Sequence, residues 1–237
     1  MLAQLPVLDA HRARLRQVFA ERLLSEDPAT VLDLGAGSGE LVAALRARGV
    51  DAKGIEPKKD KVAAARTKGV PLIHGRADKL ANPAESVDWV AFRHVLHHLH
   101  SPERAIKEAV RVTRVGVALA EPFSLTGLPQ HRATIQLEAF TRFFDRRRGM
   151  VHGDDLTAAD ILSILPEGWD VEIGVHCPLT LIPTVEMDRM LARAIDGFEL
   201  DSFQQGRIED IRATALANGM AAPGTLIVMA RRPVMDR

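Results

Sequence analysis

Residues 30–49, TVLDLGAGSGELVAALRARG, constrain this chain more than any other stretch. Val31, Leu32 and Leu34 form a short apolar run with the character of a strand buried on both faces. The run passes directly into Gly35-Ala36-Gly37-Ser38-Gly39, where missing side chains permit positive φ and let a ligand reach the backbone. Leu41, Val42 and Leu45 then recur at helical spacing, and Gly49 stands where a helix ends. A strand, a glycine turn and a helix whose first N–H groups face that turn make the nucleus of a nucleotide site in an α/β fold.

The spacing narrows the ligand. A dinucleotide fingerprint reads G-x-G-x-x-G, whereas this turn reads Gly35-x-Gly37-x-Gly39 followed by Glu40 and Leu41. Asp33 at the strand's end would repel a pyrophosphate but suits an ammonium group. The segment VLDLGAGSGE resembles the first motif of the class I S-adenosylmethionine (SAM) dependent methyltransferases. The resemblance implies SAM as cofactor, with Gly35, Ala36 and Gly37 passing beneath it and Asp33 beside its methionine part.

Later strands supply further candidates. Residues 52–56 form a second strand closed by Pro57, and Glu56 falls about 20 residues after the glycine turn, where a carboxylate can accept ribose hydroxyls. Pro57 is counted with it at the cofactor edge. Residues 58–68 form a polar helix, and residues 71–74 form a third strand followed by Gly75-Arg76-Ala77-Asp78. In the family an acidic residue here accepts the adenine amino group. This chain has Arg76 instead, so either Arg76 stacks on the ring or Asp78 substitutes from a shifted loop. The Ala77 N–H is offered to an adenine nitrogen in both cases.

A fourth strand, residues 87–92, leads into Arg93-His94-Val95-Leu96-His97-His98-Leu99-His100. On a helical turn Val95, Leu96 and Leu99 face the core while His94, His97 and His98 share the other side. No acidic residue or cysteine interleaves to complete a usual ligand set, so no metal is expected. The segment resembles the VLHHL stretch of the ubiquinone/menaquinone C-methyltransferase-like branch, which implies that Arg93 and His94 border the cofactor. His94 and His97 line the pocket on this reading, with His98 and His100 solvated. Phe92-Arg93-His94-Val95 also replaces the Asn-Pro-Pro-aromatic motif of enzymes acting on planar amino groups, which lowers DNA adenine and protein glutamine as substrates.

Ser101 and Pro102 read as N-cap and N1 of a helix reaching about residue 113, followed by a fifth strand over 115–121. Glu121 closes that strand, and His97 and Glu121 are the candidate general bases. A helix over 8–25 precedes the first strand and either lies over the cofactor edge or packs on the sheet. A helix at 156–165, a strand at 170–176 and a last strand at 225–230 complete the expected order. Two helical stretches depart from it, at about 124–153 and 178–220. The first combines Leu128, Ile135, Leu137, Phe140, Phe143 and Phe144 with Arg142 and Arg146, Arg147 and Arg148, which suits a hydrophobic or anionic acceptor; a packed lid or a homodimer contact is the alternative.

Composition sets the remaining bounds. The 237 residues carry Lys+Arg 31 against Asp+Glu 31, which gives no net field to attract nucleic acid. Cys177 is the single cysteine, so no intramolecular disulfide forms and a cytoplasmic setting is expected. Charges interrupt the N-terminal apolar pattern, and no apolar run approaches the roughly 20 residues of a membrane span. The expected architecture is a single α/β methyltransferase domain over 1–237: a Rossmann-like, seven-stranded, mostly parallel sheet with an antiparallel last strand, plus helical lid insertions. The expected activity is SAM-dependent, in-line methyl transfer to a small-molecule acceptor. The rivals are an NAD(P)-linked oxidoreductase and a non-catalytic SAM-binding protein.

Overall fold

The computed structural model describes residues 4–233. Strands β1 (Thr30–Leu34), β2 (Asp51–Glu56), β3 (Leu72–His74), β4 (Val87–Arg93), β5 (Thr113–Phe123), β6 (Asp170–His176) and β7 (Gly224–Arg231) form one sheet in the order β3-β2-β1-β4-β5-β7-β6. The pairs β1–β2, β1–β4, β2–β3 and β4–β5 are parallel. Arg232 N donates to Val115 O at 2.8 Å, while a Cβ on Gly116 would lie 2.5 Å from Ala230 O. As one strand advances the other recedes, so β7 runs antiparallel to β5, as expected for the last strand.

The chain divides into two compact units. The first contains Arg16–Glu121, Leu156–Val175 and residues 226–233. Its sheet is built from apolar runs: Val31, Leu32 and Leu34 of β1 and Trp89 to Phe92 of β4 are all buried, as central parallel strands require. The helices α2 (Glu40–Arg46) and α3 (Lys59–Arg66) bring Leu41, Val42, Leu45, Val62 and Ala65 into the same core as Phe19 and Leu23 from α1 (Pro6–Leu24). Strand order runs outward through β2 and β3 on one side of β1 and restarts with β4 on the other. This reversal is the place where open α/β sheets bind ligands, outside the carboxyl ends of the strands.

Two local expectations change. Pro102 opens α4 (Pro102–Val112), but the Ser101 hydroxyl donates to Glu103 Oε2 at 3.1 Å instead of capping the helix backbone. The expected turn after β4 is a 3-10 turn, Leu96–His98, whose tighter winding of three residues per turn changes which side chains point inward.

The second unit contains residues 4–15, Pro122–Asp155 and His176–Thr225. It is helical: α5 (His131–Arg147) packs against α7 (Thr184–Ile195) and α8 (Ser202–Asn218), while the seven-residue α6 (Ala158–Ile164) belongs to the first unit. The helical stretch expected at about 178–220 holds two helices, with α8 started by a reciprocal capping box between Asp201 and Gln204. Leu137, Phe140 and Phe144 lie in this unit's core with Met187, Leu191 and Ile211. Their apolar face is spent on packing, and Phe143 alone among the expected phenylalanines is exposed, at 47%.

Candidate active site

All the expected site residues fall in the first unit, at or just beyond the carboxyl ends of its parallel strands. Leu34 pairs with Ile55 of β2 and with Phe92 of β4, which sets the ends of the three strands side by side. Gly35 N and Ala36 N both donate to Ile55 O, at 2.8 and 3.0 Å, so the turn is stitched to β2 before the helix begins. Gly35 has φ 73°, and a Cβ there would sit 2.5 Å from a Val95 methyl. Gly37 has φ 59°, yet a Cβ there would meet nothing within 4 Å. The space over Gly37 is open, as a backbone that receives a ligand requires.

Two buried carboxylates flank the turn. Glu56 Oε2 accepts from Gly37 N at 2.9 Å and Oε1 accepts from Lys58 N at 3.0 Å. Glu56 therefore fixes the turn's shape, and each oxygen still has a second lone pair for a ligand hydroxyl. Asp33 is buried at the end of β1, and that burial pushes its carboxyl up to about 7. The Arg93 charge draws it down and the Glu56 charge adds to the rise. A cation arriving beside Asp33 would favour the ionised form, so this pair of strand ends is electrostatically suited to a ligand carrying an ammonium group.

Arg76 does not join this group. Its Nε and a terminal nitrogen donate to both oxygens of Asp78, at 2.9 and 2.8 Å, with the side chain exposed. The fork that would stack on an adenine ring and the carboxylate that would accept its amino group are thus committed to each other. Ala77 between them is buried. Pro57 is exposed, and its carbonyl accepts from His74 Nε2 at 3.1 Å.

After β4, His97 is buried while His98 is exposed, as expected for a solvated His98, and their rings remain in contact with centroids 4.1 Å apart. His97 Nδ1 lies 2.5 Å from Glu121 Oε2, and Glu121 Oε1 accepts from Val95 N and Leu96 N, each at 3.0 Å. Burial alone would raise the Glu121 carboxyl, but His97 and the two backbone donors outweigh it and hold it below the ordinary glutamate value. The expectation that Glu121 itself presents a base is corrected here: it is wholly buried with both oxygens engaged. With Nδ1 donating to a carboxylate, the lone pair of His97 resides on Nε2, the arrangement of a base held by an orienting acid. His94 has φ 54° and its N–H donates to Ala120 O at 2.7 Å, a left-handed conformation in a non-glycine residue of the kind found at ligand clamps.

Sequence reasoning missed Val95. It reads as a core residue, yet its side chain closes on Gly35 and its N–H holds Glu121. Neither contact has a sequence signal, since they join the chain across 60 and 26 residues.

Residues 32–120 match the family described as a methyltransferase domain. Uncharacterized methyltransferases of Mycobacterium tuberculosis and Mycobacterium bovis are 39% identical over 89 residues. That match covers 36% of this chain and 36% of theirs, so the likeness spans about a third of those relatives' length. Among solved structures, a SAM-dependent methyltransferase from Archaeoglobus fulgidus has a TM-score of 0.57 at 17% identity, covering 92% of this chain and 94% of that one. The [4+2]-cyclase SpnF has a TM-score of 0.60 at 22% identity, covering 93% of this chain and 80% of its own.

Proposed function

We propose that the chain is a class I SAM-dependent methyltransferase that methylates a small-molecule acceptor, with His97 taking up the acceptor's proton; the methyltransferase-domain match over residues 32–120 and the likeness of fold support the reading. The observation that carries the reading is the pairing of an open, left-handed Gly37 with buried carboxylates on the two neighbouring strand ends, Asp33 and Glu56. A ribose acceptor such as Glu56 suits a dinucleotide equally, but a carboxylate at Asp33 beside the glycine turn opposes a pyrophosphate and suits the ammonium of an amino acid tail. One fold neighbour is a cyclase, so the fold alone supports no particular reaction and the assignment rests on the residues.

SAM, when bound, supplies an electrophilic methyl on a sulfonium, displaced in line by the acceptor's nucleophile. Asp33 would hold the ammonium, Glu56 the ribose hydroxyls and the Ala77 N–H an adenine nitrogen, with Arg93 and His94 bordering the same edge. Alignment of the two reactants and exclusion of water account for most of the acceleration, up to roughly 7–11 kcal/mol of barrier. His97 Nε2 accepts a proton from a hydroxyl or acidic-carbon nucleophile, and the resulting imidazolium is stabilised by Glu121.

The test is turnover of SAM to S-adenosylhomocysteine across a metabolite panel, beside calorimetry with SAM alone. We expect His97→Ala to lower turnover roughly 100-fold while SAM affinity is unchanged. Absence of SAM binding would sink the cofactor assignment. Undiminished turnover in His97→Ala would leave the cofactor site and remove the proton acceptor.

A further inference from the structure

Within the helical unit, Ala139, Arg142, Phe143, Arg146 and Arg147 recur at three- and four-residue spacing along one face of α5, with Asp154 beside them. Together they line a cleft of about 380 Å³. We propose that this cleft binds a small carboxylate with an apolar body, resting the body on Ala139 and Phe143 and the carboxylate on the arginines. The inference does not rest on methyl transfer.

The arginines of this helix are not equivalent. Arg148 is structural: one of its nitrogens donates to the carbonyls of Ala194 and Asp196 at 2.8 Å and of Arg193 at 3.4 Å, where α7 ends. Arg147 behaves differently. Its guanidinium lies 5.8 Å over the Phe143 ring and 5.0 Å over the Phe198 ring, and no hydrogen bond to the described residues takes up its N–H groups. Stacking fixes the plane of the fork and leaves its edge for a ligand.

Arg142 and Arg146 are only loosely engaged on the cleft side. Asp154 touches Arg142 at 3.5 Å and Arg146 at 3.4 Å, long contacts made by a side chain that is 84% exposed. Arg142 also reaches Asp155 at 3.3 Å, and Arg146 Nε donates to His152 O at 2.7 Å. An exposed carboxylate held only by long contacts between two guanidiniums marks where a ligand carboxylate would be accepted. Glu138, one turn before Arg142, has its carboxyl pushed up to about 8 by burial and by Asp155, against the pull of Arg142. Raised in this way, Glu138 competes for Arg142 less than an ordinary carboxylate would.

Like charges repeated at four-residue spacing oppose helix formation unless an anion joins them. An exposed aromatic ring among them is out of place on a purely solvated face, and a body stacked on it would remove that area from water.

Calorimetry of the full chain with decanoate, decanol and acetate separates the contributions. Decanoate should bind, with decanol and acetate each at least roughly tenfold weaker. Arg147→Gln and Phe143→Ala should each weaken decanoate roughly tenfold without changing the melting temperature or SAM binding, while Arg132→Gln on the exposed start of α5 leaves it unchanged. Equal binding of decanol would mean a plain apolar patch, and equal binding of acetate an unshaped anion surface. Either result overturns the proposal, as does decanoate binding that survives both Arg147→Gln and Phe143→Ala, or no decanoate binding at all.

Discussion

Gly35 and Gly37 share a left-handed backbone but need it for different reasons. At Gly35 a methyl would enter the Val95 side chain, so Gly35→Ala must move β4's following turn and with it the N–H that holds Glu121. At Gly37 nothing stands in the way, and Gly37→Ala incurs only the left-handed conformation, about 1–2 kcal/mol. Thermal melts should therefore rank Gly35→Ala well below Gly37→Ala. Calorimetry with SAM should nevertheless show Gly37→Ala at least roughly tenfold weaker than the native chain, since the added methyl occupies the ligand's space. Native affinity in Gly37→Ala would make the turn structural only. The same comparison explains what the sequence could reveal. Glycine spacing announces positive φ; which glycine abuts protein and which abuts ligand depends on Val95, 60 residues away. Likewise His97 and Glu121 read as equals at two strand ends, and only the 3-10 turn ranks one behind the other.

At the scale of elements, the strands are readable because central parallel strands are continuous apolar runs, and β6 spans the expected residues 170–176. The helical unit is less readable, because its helices bury faces against one another and leave no mark of which face is spent. Phe144 is wholly buried, with ring centroids of Phe140 and Phe198 both 4.9 Å away. Phe144→Ala should therefore destabilise the chain by about 3–5 kcal/mol in denaturant melts. Turnover lost at constant stability would instead return Phe144 to a substrate wall. The start of α1 is a second nonlocal construction. Pro6 has no N–H to satisfy, Asp9 N donates to Leu5 O at 2.7 Å, and the buried Glu186 of α7 accepts from Val7 N at 2.8 Å and Leu8 N at 3.0 Å. Every early donor of that helix is thus accounted for, two of them by a residue 178 and 179 positions away. Glu186→Ala leaves both unsatisfied and should lower stability by about 1–3 kcal/mol, with Glu186→Gln recovering part of it.

For the molecule as a whole, the titrating groups pull stability in opposite directions with pH. Glu26 is held down to about 2 by Arg231 foremost, against burial, with Arg22 assisting, and His11 and His131 are lowered by burial. Groups with depressed values bind fewer protons folded than unfolded, so their stabilisation is lost as pH falls: the histidines below about 6.5, Glu26 towards about 2. Asp33 and Glu138 have the opposite sign. Raised from 3.8 to about 7 and from 4.5 to about 8, they bind more protons folded than unfolded, and stability falls as pH rises across those intervals. For Asp33, at about 1.4 kcal/mol per pH unit, the loss amounts to about 4 kcal/mol as an upper bound. The ligand-free chain should consequently be most stable in mildly acidic solution, near pH 5–6, and decline towards pH 8. Asp33→Asn removes its share of that decline, so melting curves should cross: the variant is more stable than the native chain at pH 8 and loses the advantage near pH 4. SAM binding should show the mirror image. The native affinity rises as Asp33 ionises between about pH 6 and 8, because the ammonium favours the charged carboxylate, whereas Asp33→Asn binds weakly at every pH. A native affinity flat across that range, with the stability crossing still present, would leave Asp33 as a strained buried acid and move the ammonium elsewhere.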